Sequence, residues 1–297
     1  MASIYVHQDA NIRRTWILMT AFFIVVIGVG WVFSVALGNQ AILYGAVILA
    51  VLMNFFSYWN SHKIVIAFSG AKKADEHEYR ELHNIVENLA ITAGLPKPDV
   101  YIINDPAPNA FATGRDKEHA VVAATTGLLS LLERNELEGV IAHELSHIGN
   151  RDMLVGTVAV TLVGFVTLLS DFFLRATMWG GGGNREGRAQ AIMIVAGIAL
   201  AILAPLVALL IQLAISRKRE FLADASGILL TRYPDGLASA LEKIGKYPQP
   251  MRRANHATAH LFISNPFGKH GTVSGFLNTL FMTHPPMEER IRALRGN

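Results

Sequence analysis

Composition and the spacing of apolar residues predict a mainly α-helical fold with a small β-sheet, attached to transmembrane helices. Hydrophobic residues make up 52% of the chain and charged residues only 16%. Soluble domains usually contain more charged residues, so this composition favours an integral membrane protein. Charged residues are frequent between residues 74 and 152, whereas long stretches elsewhere contain almost none. The chain is therefore expected to combine a polar, water-exposed domain with apolar helices.

Four apolar stretches have the length of about twenty residues that a helix needs to cross a bilayer. They cover residues 16–37, 41–59, 154–174 and 191–215. Only Gly38, Asn39 and Gln40 separate the first two, which predicts a tight hairpin. Asp171 lies near the end of the third stretch and Pro205 interrupts the fourth. This second pair is expected to span the membrane as well, with a hairpin buried in the polar domain as the alternative.

Basic residues predict the orientation of the first hairpin. Arg13 and Arg14 precede it, Lys63, Lys72 and Lys73 follow it, and the turn between its helices is uncharged. Because Lys and Arg mark cytoplasmic segments, both outer ends are expected to face the cytoplasm. The predicted organisation is a cytoplasmic N-terminus (1–14), a transmembrane hairpin (15–60), the first part of the polar domain (61–153), a second hydrophobic hairpin (154–215) and the second part of the polar domain (216–297).

Periodicity and turn signals predict the elements of the polar domain. Apolar residues at helical spacing predict helices over residues 76–93, 127–132, 136–150, 233–247 and 286–295. Short runs between Gly- and Pro-containing segments predict strands over residues 100–103, 109–113 and 119–125. The polar domain is therefore expected to be mainly helical.

The segment His143-Glu144-Leu145-Ser146-His147 carries the clearest functional signal. On a helix, His143 and His147 lie one turn apart on one face, so that both imidazoles can bind one tetrahedral zinc ion. Glu144 would then lie beside the open coordination position and act as a general base toward water. The alternative is an amphipathic helix with two surface histidines. The apolar residues around the motif favour a buried helix, in which both rings need partners.

The residues that follow the motif bear on the third metal ligand. A metzincin would have Gly at position 150 and His at position 153, whereas this chain has Asn150 and Met153, which excludes that class. Glu220 and Asp224 lie one helical turn apart after a basic run. Glu220 is the candidate third ligand, and Asp224 is the candidate acceptor for the N–H of a zinc-bound imidazole. The alternative is a surface pair of carboxylates.

Four sequence blocks resemble peptidase family M48, most closely its HtpX branch of bacterial membrane-bound heat-shock proteases. In family order, the blocks are Asn109-Ala110-Phe111-Ala112, His143 to His147, Glu220 to Asp224, and Thr283-His284-Pro285-Pro286 with Glu289-Arg290. The resemblance covers the chain from about residue 70 to its end. It implies a zincin-like catalytic domain of the gluzincin type, with one zinc ion held by the two histidines and Glu220.

The resemblance also implies roles outside the metal motif. His284 and Arg290 are implied to stabilise the negative charge that develops on the carbonyl oxygen during hydrolysis. The alternative is a rigid turn before the last helix, with Arg290 in a surface ion pair. The run Asn109 to Ala112 is expected to be an edge strand that holds an extended substrate through backbone hydrogen bonds. The same run equally describes an edge strand of the core.

Together these features predict a zinc endopeptidase of the bacterial cell membrane, with its catalytic domain facing the cytoplasm. The resemblance implies that it cleaves misfolded or damaged membrane proteins, so the expected partners are polypeptides and the lipid bilayer. One alternative is a processing peptidase for prenylated peptides, although such relatives have more membrane spans. The other is a non-catalytic scaffold, although structural zinc usually has four protein ligands.

The remaining composition excludes other classes of protein. The net charge of +3 arises from Arg and Lys beside the apolar stretches, so we expect no nucleic-acid partner. The chain contains no cysteine, which excludes a thiol nucleophile and a disulfide framework.

Overall fold

A computed structural model describes residues 2–158, 160–162, 217–254, 258–268 and 285–296. The helices are α1 (Ala2–Leu37), α2 (Ala41–Ser69), α3 (Arg80–Ala93), α4 (Thr126–Leu131), α5 (Arg134–Gly149), α6 (Arg217–Thr231), α7 (Pro234–Lys246) and α8 (Met287–Arg295), with a short 3-10 helix at Ala259–Leu261. The strands are β1 (Lys72–Lys73), β2 (Asp99–Ile103), β3 (Ala110–Gly114) and β4 (Ala120–Thr125). The predicted fold class, mainly helical with a small sheet, is confirmed.

The four strands form one mixed sheet in the order β1-β2-β4-β3. Strands β2 and β4 are parallel, and the two outer pairs are antiparallel. Lys72 and Lys73 are exposed at one edge, where lysines discourage pairing with another sheet. Strand β3 forms the other edge, and all five of its residues are buried. The predicted strand over residues 109–113 is therefore an edge strand that lies within the body of the molecule.

Helix α3 begins at Arg80, although the sequence predicts a helix from residue 76. The carboxylate of Asp75 accepts hydrogen bonds from the backbone N–H groups of His77 at 2.8 Å and Glu78 at 3.0 Å. Asp side chains favour such local turns over helix, so the chain turns once before the helix starts. The apolar face of α3, including Leu82, then packs into the main core.

Helices α1 and α2 form an antiparallel hairpin through the turn at residues 38–40. Gly38 has a φ of +64°, a left-handed conformation that glycine adopts without strain. The rings of Trp16 and Tyr58 stack with centroids 6.4 Å apart. Closer to the turn, a Cβ on Gly30 would lie 2.2 Å from the Cβ of Ala46. Glycine at position 30 therefore permits the close approach of the two helices.

The surface of this hairpin is apolar. Within the described part of the chain, α2 is the one helix that is long and apolar enough to cross a membrane, with a mean hydropathy of 1.9 over its most apolar window. The apolar part of α1, Thr15–Trp31, is shorter. Large exposed apolar side chains occur on both helices, among them Ile24, Trp31, Ile48 and Phe55. Such a continuous apolar surface fits contact with lipid better than contact with water.

Helix α2 extends past the predicted apolar stretch of 41–59 and ends at Ser69. Val65 in this extension is fully buried and packs in a cluster with Phe111 of β3, Met251 and Phe262. The apolar hairpin is therefore joined to the sheet by one continuous helix and a shared core, without a flexible linker.

The beginning of the third predicted span also packs against this hairpin. The segment Met153–Leu162 is apolar and helical. Its residues Leu154, Val158 and Leu162 form a cluster with Met19 and Phe22 of α1, and with Met53 of α2. The rest of the predicted span 154–174 and the whole of the span 191–215 lie outside the described residues. The chain thus passes directly from α5 into contact with the apolar hairpin.

Candidate metal centre

Helix α5 carries the two motif histidines through the centre of the molecule. Its N-terminus is closed by a capping box between Glu133 and Glu136, in which the Glu133 N–H donates to the Glu136 side chain at 2.8 Å. His143 is fully buried, and His147 retains 14% exposure of its side chain. The alternative of two surface histidines is therefore wrong for this helix, and both rings lie where they need partners.

Helix α6 crosses α5 at the motif and brings the candidate carboxylates to it. Glu220, Asp224 and Gly227 are spaced i, i+4, i+7 and share one face of α6. A Cβ on Gly227 would lie only 3.1 Å from the backbone nitrogen of His143. Glycine at this position therefore lets the two helix backbones approach closely. Glu220 and Asp224 are both buried, so they do not form the surface pair considered as an alternative.

The side chains of His143, His147 and Glu220 converge on one point. The Nε2 atoms of the two histidines are 3.1 Å apart. One Glu220 oxygen lies 3.7 Å from Nε2 of His143, and the other lies 3.6 Å from Nε2 of His147. Zinc bonds of about 2.0 to 2.1 Å in a tetrahedral arrangement separate neighbouring ligand atoms by about 3.3 Å. The metal triangle of His143, His147 and Glu220 therefore offers donor types that zinc binds, with one ligand atom from each residue within 4.8 Å of the others.

The outer nitrogen of His143 contacts a buried ion pair. Nδ1 of His143 lies 2.8 Å from Oδ1 of Asp224. Arg290 of α8 donates to both oxygens of the same carboxylate, at 2.9 Å from Nε and 2.6 Å from Nη2. Arg290 has no exposed surface, so its pair with Asp224 is buried and not the surface ion pair considered above. Nδ1 thereby donates to Asp224, and Nε2 of His143 is left to face the metal site.

His147 has a matching carboxylate partner that the sequence analysis missed. Nδ1 of His147 lies 3.2 Å from Oδ2 of Asp152, and Arg219 contacts the other oxygen of Asp152 at 3.2 Å. Arg151 has a φ of +56°, and this turn lets the Asp152 backbone N–H donate to the His147 carbonyl at 2.9 Å. The sequence could have indicated this partner, because a metal-bound imidazole needs an acceptor for its other nitrogen and Asp152 follows the motif closely.

The charges around the two histidines have opposite effects on their pKa values. Burial, together with the positive charge of Arg290, lowers the pKa of His143 to about 4 despite the hydrogen bond to Asp224. Burial also acts to lower the pKa of His147, but the carboxylates of Glu220, Asp152 and Glu144 outweigh it and raise that pKa to about 9. His143 is therefore neutral near pH 7, and in the metal-free protein His147 carries a proton.

The metal triangle opens into a cleft. Glu144 is 2% exposed and lines this cleft with His147 and Glu220. Arg219 and Asp152 contribute further polar side chains, and the apolar wall contains Ala112, Met153, Gly156 and Leu261. A general base, two metal ligands and an apolar wall thus face one solvent-connected space, which is an arrangement suited to hydrolysis of a bound chain.

The predicted substrate strand lies beside this cleft, but residues 263 and 264 already hydrogen-bond to part of it. Asn109 donates from Nδ2 to the Ser264 carbonyl at 2.9 Å and accepts from the Ser264 N–H at 3.1 Å. The carbonyl of Ala110 accepts a hydrogen bond from the Ile263 N–H at 3.0 Å. Phe111 is fully buried, and Ala112 lines the cleft. Within the run Asn109 to Ala112, Ala112 therefore lies closest to the candidate chemistry.

His284 lies outside the described residues, so its position relative to the metal triangle stays a prediction. The described chain resumes at Pro285, and Pro286 precedes the first turn of α8. Proline in the first positions of a helix leaves no backbone donor unsatisfied. The Pro-Pro pair therefore lies directly before the helix that carries Arg290 to Asp224.

Known proteins resemble this chain along most of its length. The family model for Peptidase family M48 matches residues 76–297. A "Protease HtpX homolog" of Caldanaerobacter subterraneus subsp. tengcongensis is 48% identical over 302 residues, covering 99% of this chain and 98% of that protein. Proteins of the same name from Tropheryma whipplei (strain Twist) and Pyrococcus furiosus are 47% and 49% identical and cover 96% and 95% of this chain, and 95% and 94% of their own lengths.

A solved structure shares the fold. The crystal structure of S. mikatae Ste24p aligns with 99% of this chain and 67% of its own chain, with a TM-score of 0.50 and 17% sequence identity. The fold and the His-His-Glu triangle define a metallopeptidase architecture. The chain belongs to peptidase family M48, which confirms the predicted resemblance, including that to the HtpX branch.

Proposed function

We propose that this chain is a membrane zinc endopeptidase and that His143, His147 and Glu220 hold its single zinc ion. The proposal rests on the buried convergence of these three side chains: the two Nε2 atoms are 3.1 Å apart, and each lies 3.6 or 3.7 Å from one oxygen of Glu220. This group lies beside a cleft that contains Glu144. Three protein ligands leave one position open, which is typical of catalytic zinc, whereas structural zinc sites are closed by four. The triangle thus argues against the scaffold alternative.

Each side chain of the site has a specific proposed task. Bound zinc supplies Lewis-acid polarisation of the scissile carbonyl and a lowered pKa for nearby water. Glu144 takes a proton from the attacking water and then delivers it to the departing amine. Asp224 fixes the ring of His143 through Nδ1, and Arg290 holds Asp224. The contacts of Arg290 support this positioning role, while His284 remains our candidate for stabilising the carbonyl oxygen.

The proposed substrates are polypeptides of the membrane, above all misfolded or damaged membrane proteins. Support comes from the apolar hairpin of α1 and α2 and from the near full-length similarity to proteins named Protease HtpX homolog. We propose that both parts of the catalytic domain, residues 61–153 and 216–297, lie on the cytoplasmic side of a bacterial cell membrane. The meeting of His147 and Glu220 requires an even number of crossings within residues 154–215, because one ion needs both residues on one side. Two crossings fit that requirement.

The direct test is proteolysis by the full-length protein in detergent, with Glu144→Gln as the principal variant. This substitution removes the base and leaves all three metal ligands. Glu138→Gln is the matched control, because Glu138 lies on the same helix and pairs at the surface with Arg134 at 3.0 Å. We expect zinc-dependent cleavage of an unfolded substrate by wild type and Glu138→Gln, and at least a hundredfold loss in Glu144→Gln, in line with about 10²- to 10⁴-fold for a general base.

Zinc content decides between the remaining explanations of a negative result. If Glu144→Gln keeps one zinc per chain and loses cleavage, the proposed chemistry stands. If the wild-type protein binds one zinc but cuts no polypeptide, the scaffold alternative is supported instead. Cleavage of prenylated peptides alone would support the processing peptidase.

A further inference from the structure

One wall of the cleft comes from a segment that no predicted site block contains. We define residues 258–264 as the strap. His260 and Leu261 of the strap line the same cleft as Glu144 and His147. These two residues lie more than a hundred positions along the chain from the metal motif, yet they face it directly.

The strap is held in register against β3. The Ile263 N–H donates to the Ala110 carbonyl at 3.0 Å, and Asn109 makes a pair of hydrogen bonds to the backbone of Ser264 at 2.9 and 3.1 Å. The Phe262 ring packs edge-on against Phe111 with centroids 5.1 Å apart. Phe262 and Ile263 are buried, and the hydrogen bonds of Asn109 are partly buried, so the strap is a firmly packed wall of the cleft.

The strap also closes one end of the cleft against the segment Met153–Leu162. A Cβ on Gly156 would lie 3.0 Å from Cδ2 of Leu261 and 3.5 Å from Nε2 of His260. Nε2 of His260 lies 3.2 Å from the Gly156 carbonyl and donates to it. Leu261 and His260 thus pack directly on Gly156, which bounds the apolar space between Met153 and Leu261 on that side.

The outer edge of β3 offers one residue for pairing with a substrate. Asn109 is hydrogen-bonded toward β4 through Thr125, so Ala110, Ala112 and Gly114 direct their backbone groups outward by the alternation of an antiparallel pair. The carbonyl of Ala110 is bonded to Ile263, and the N–H of Gly114 reaches Thr157 at 3.5 Å. Ala112 lies between these two hydrogen-bonded positions, and no described residue pairs with its outward N–H and carbonyl.

We propose that Leu261, with Met153, forms the pocket for the substrate side chain beside the scissile bond and that Leu261 sets its size. This inference rests on the proposed peptidase function and deepens it. An extended polypeptide pairs with Ala112 and directs a side chain toward the apolar wall. Since the strap closes that wall at Gly156, the pocket accepts aliphatic side chains and rejects aromatic ones.

The test uses pairs of quenched-fluorescence peptides whose two members differ only in having Leu or Trp beside the scissile bond. One pair varies the residue before the bond, and the other pair varies the residue after it. Wild type is expected to favour Leu on one of the two sides. Leu261→Ala should shift the ratio of kcat/KM values toward Trp on that side by about tenfold or more, the scale of methylene-sized changes in apolar pockets. Leu229→Ala is the matched control, because Leu229 is 78% exposed, and it should leave the ratio unchanged.

An unchanged ratio in Leu261→Ala, with wild-type zinc content and unfolding midpoint, would overturn the proposal. The pocket can also be located without turnover. A photo-leucine peptide bound to zinc-loaded Glu144→Gln protein should crosslink to Leu261 or Met153, and crosslinks confined to other segments would contradict this assignment. If wild type cleaves nothing while the crosslink forms at Leu261, the proposed peptidase function fails and the binding pocket stands.

Discussion

Oδ2 of Asp152 lies 3.2 Å from Nδ1 of His147, which mirrors the contact of 2.8 Å between Asp224 and His143. Each candidate zinc histidine thus has an aspartate on its outer nitrogen, and each aspartate is also paired with an arginine. The two His-Asp-Arg chains approach the metal triangle from different parts of the sequence. They hold both imidazoles with Nε2 directed inward.

Removal of Asp152 should weaken zinc binding. Asp152→Ala is expected to raise the dissociation constant for zinc by about 10- to 100-fold, because partners behind a ligand orient it and increase its basicity. The measurement is competition with a chelator of known affinity. Asp99→Ala serves as the control, since Asp99 pairs with Lys73 on the exposed surface. Equal affinities in the two variants would show that Asp152 does not support the site.

Arg290 should matter for stability far more than a surface arginine. Arg290→Met leaves the buried carboxylate of Asp224 without its cation, and breaking a buried pair in this way costs about 3–5 kcal/mol. Arg295→Met is the matched control on the same helix. Its partner Glu242 is partly exposed, so the loss should be about 0–1 kcal/mol. Denaturant unfolding in detergent gives both values, and similar losses in the two variants would contradict the buried pair.

Helix crossing at the metal site should depend on Gly227. Gly227→Ala places a methyl group about 3.1 Å from the backbone nitrogen of His143, so α6 must move away from α5. Overpacking of this kind costs about 1–3 kcal/mol, and we expect zinc affinity to fall with stability because Glu220 moves too. Gly28→Ala is the control, since a Cβ there meets nothing within 4 Å. Full zinc affinity in Gly227→Ala would contradict this packing.

Zinc binding should release a proton at neutral pH. The pKa of His147 in the metal-free protein is raised to about 9, so this group is protonated at pH 7 and must lose its proton to bind metal. His143, with a pKa of about 4, is already neutral. Between about pH 6 and pH 8, the apparent dissociation constant should therefore rise about tenfold for each unit by which the pH falls. Calorimetry at pH 7 in buffers of different ionisation enthalpy measures the proton, and a value of zero would refute this assignment.

The raised pKa of His147 also makes the stability of the metal-free protein depend on pH. Because the folded pKa of His147 exceeds the ordinary value of 6.5, its contribution to stability is fully present below pH 6.5. It is lost as the pH rises from there through about 9. Unfolding of the metal-free protein at pH 6 and pH 9 should show the decline, and His147→Gln should remove it. A decline of equal size in that variant would assign it to other groups.

The parts of the site that the sequence predicts are local. His143, Glu144 and His147 lie within two turns of one helix, and Glu220 and Asp224 lie within one turn of another, so spacing alone places each set on one face. The packing of Leu154 and Val158 against α1 and α2 was not predicted, because apolar content does not specify a partner.

Contacts between distant segments escaped prediction for a related reason. The pair of Arg219 and Asp152 joins residues 67 positions apart, and the bonds of Asn109 to Ser264 span 155 positions. No periodicity in the sequence encodes such approaches, which depend on how the helices and the sheet pack. The extension of α2 to Ser69 was missed since its last turns serve the sheet core and lie beyond the apolar stretch.

We infer that one zinc ion, shared by His143, His147 and Glu220, drives peptide hydrolysis. The most direct test is to measure zinc content and proteolysis together in Glu220→Gln. Glu242→Gln is measured beside it as the control, because Glu242 forms a partly exposed pair with Arg295. We predict that Glu220→Gln loses tightly bound zinc and cleavage together, while Glu242→Gln keeps both. A Glu220→Gln protein that retains one zinc ion per chain and wild-type cleavage would contradict the account.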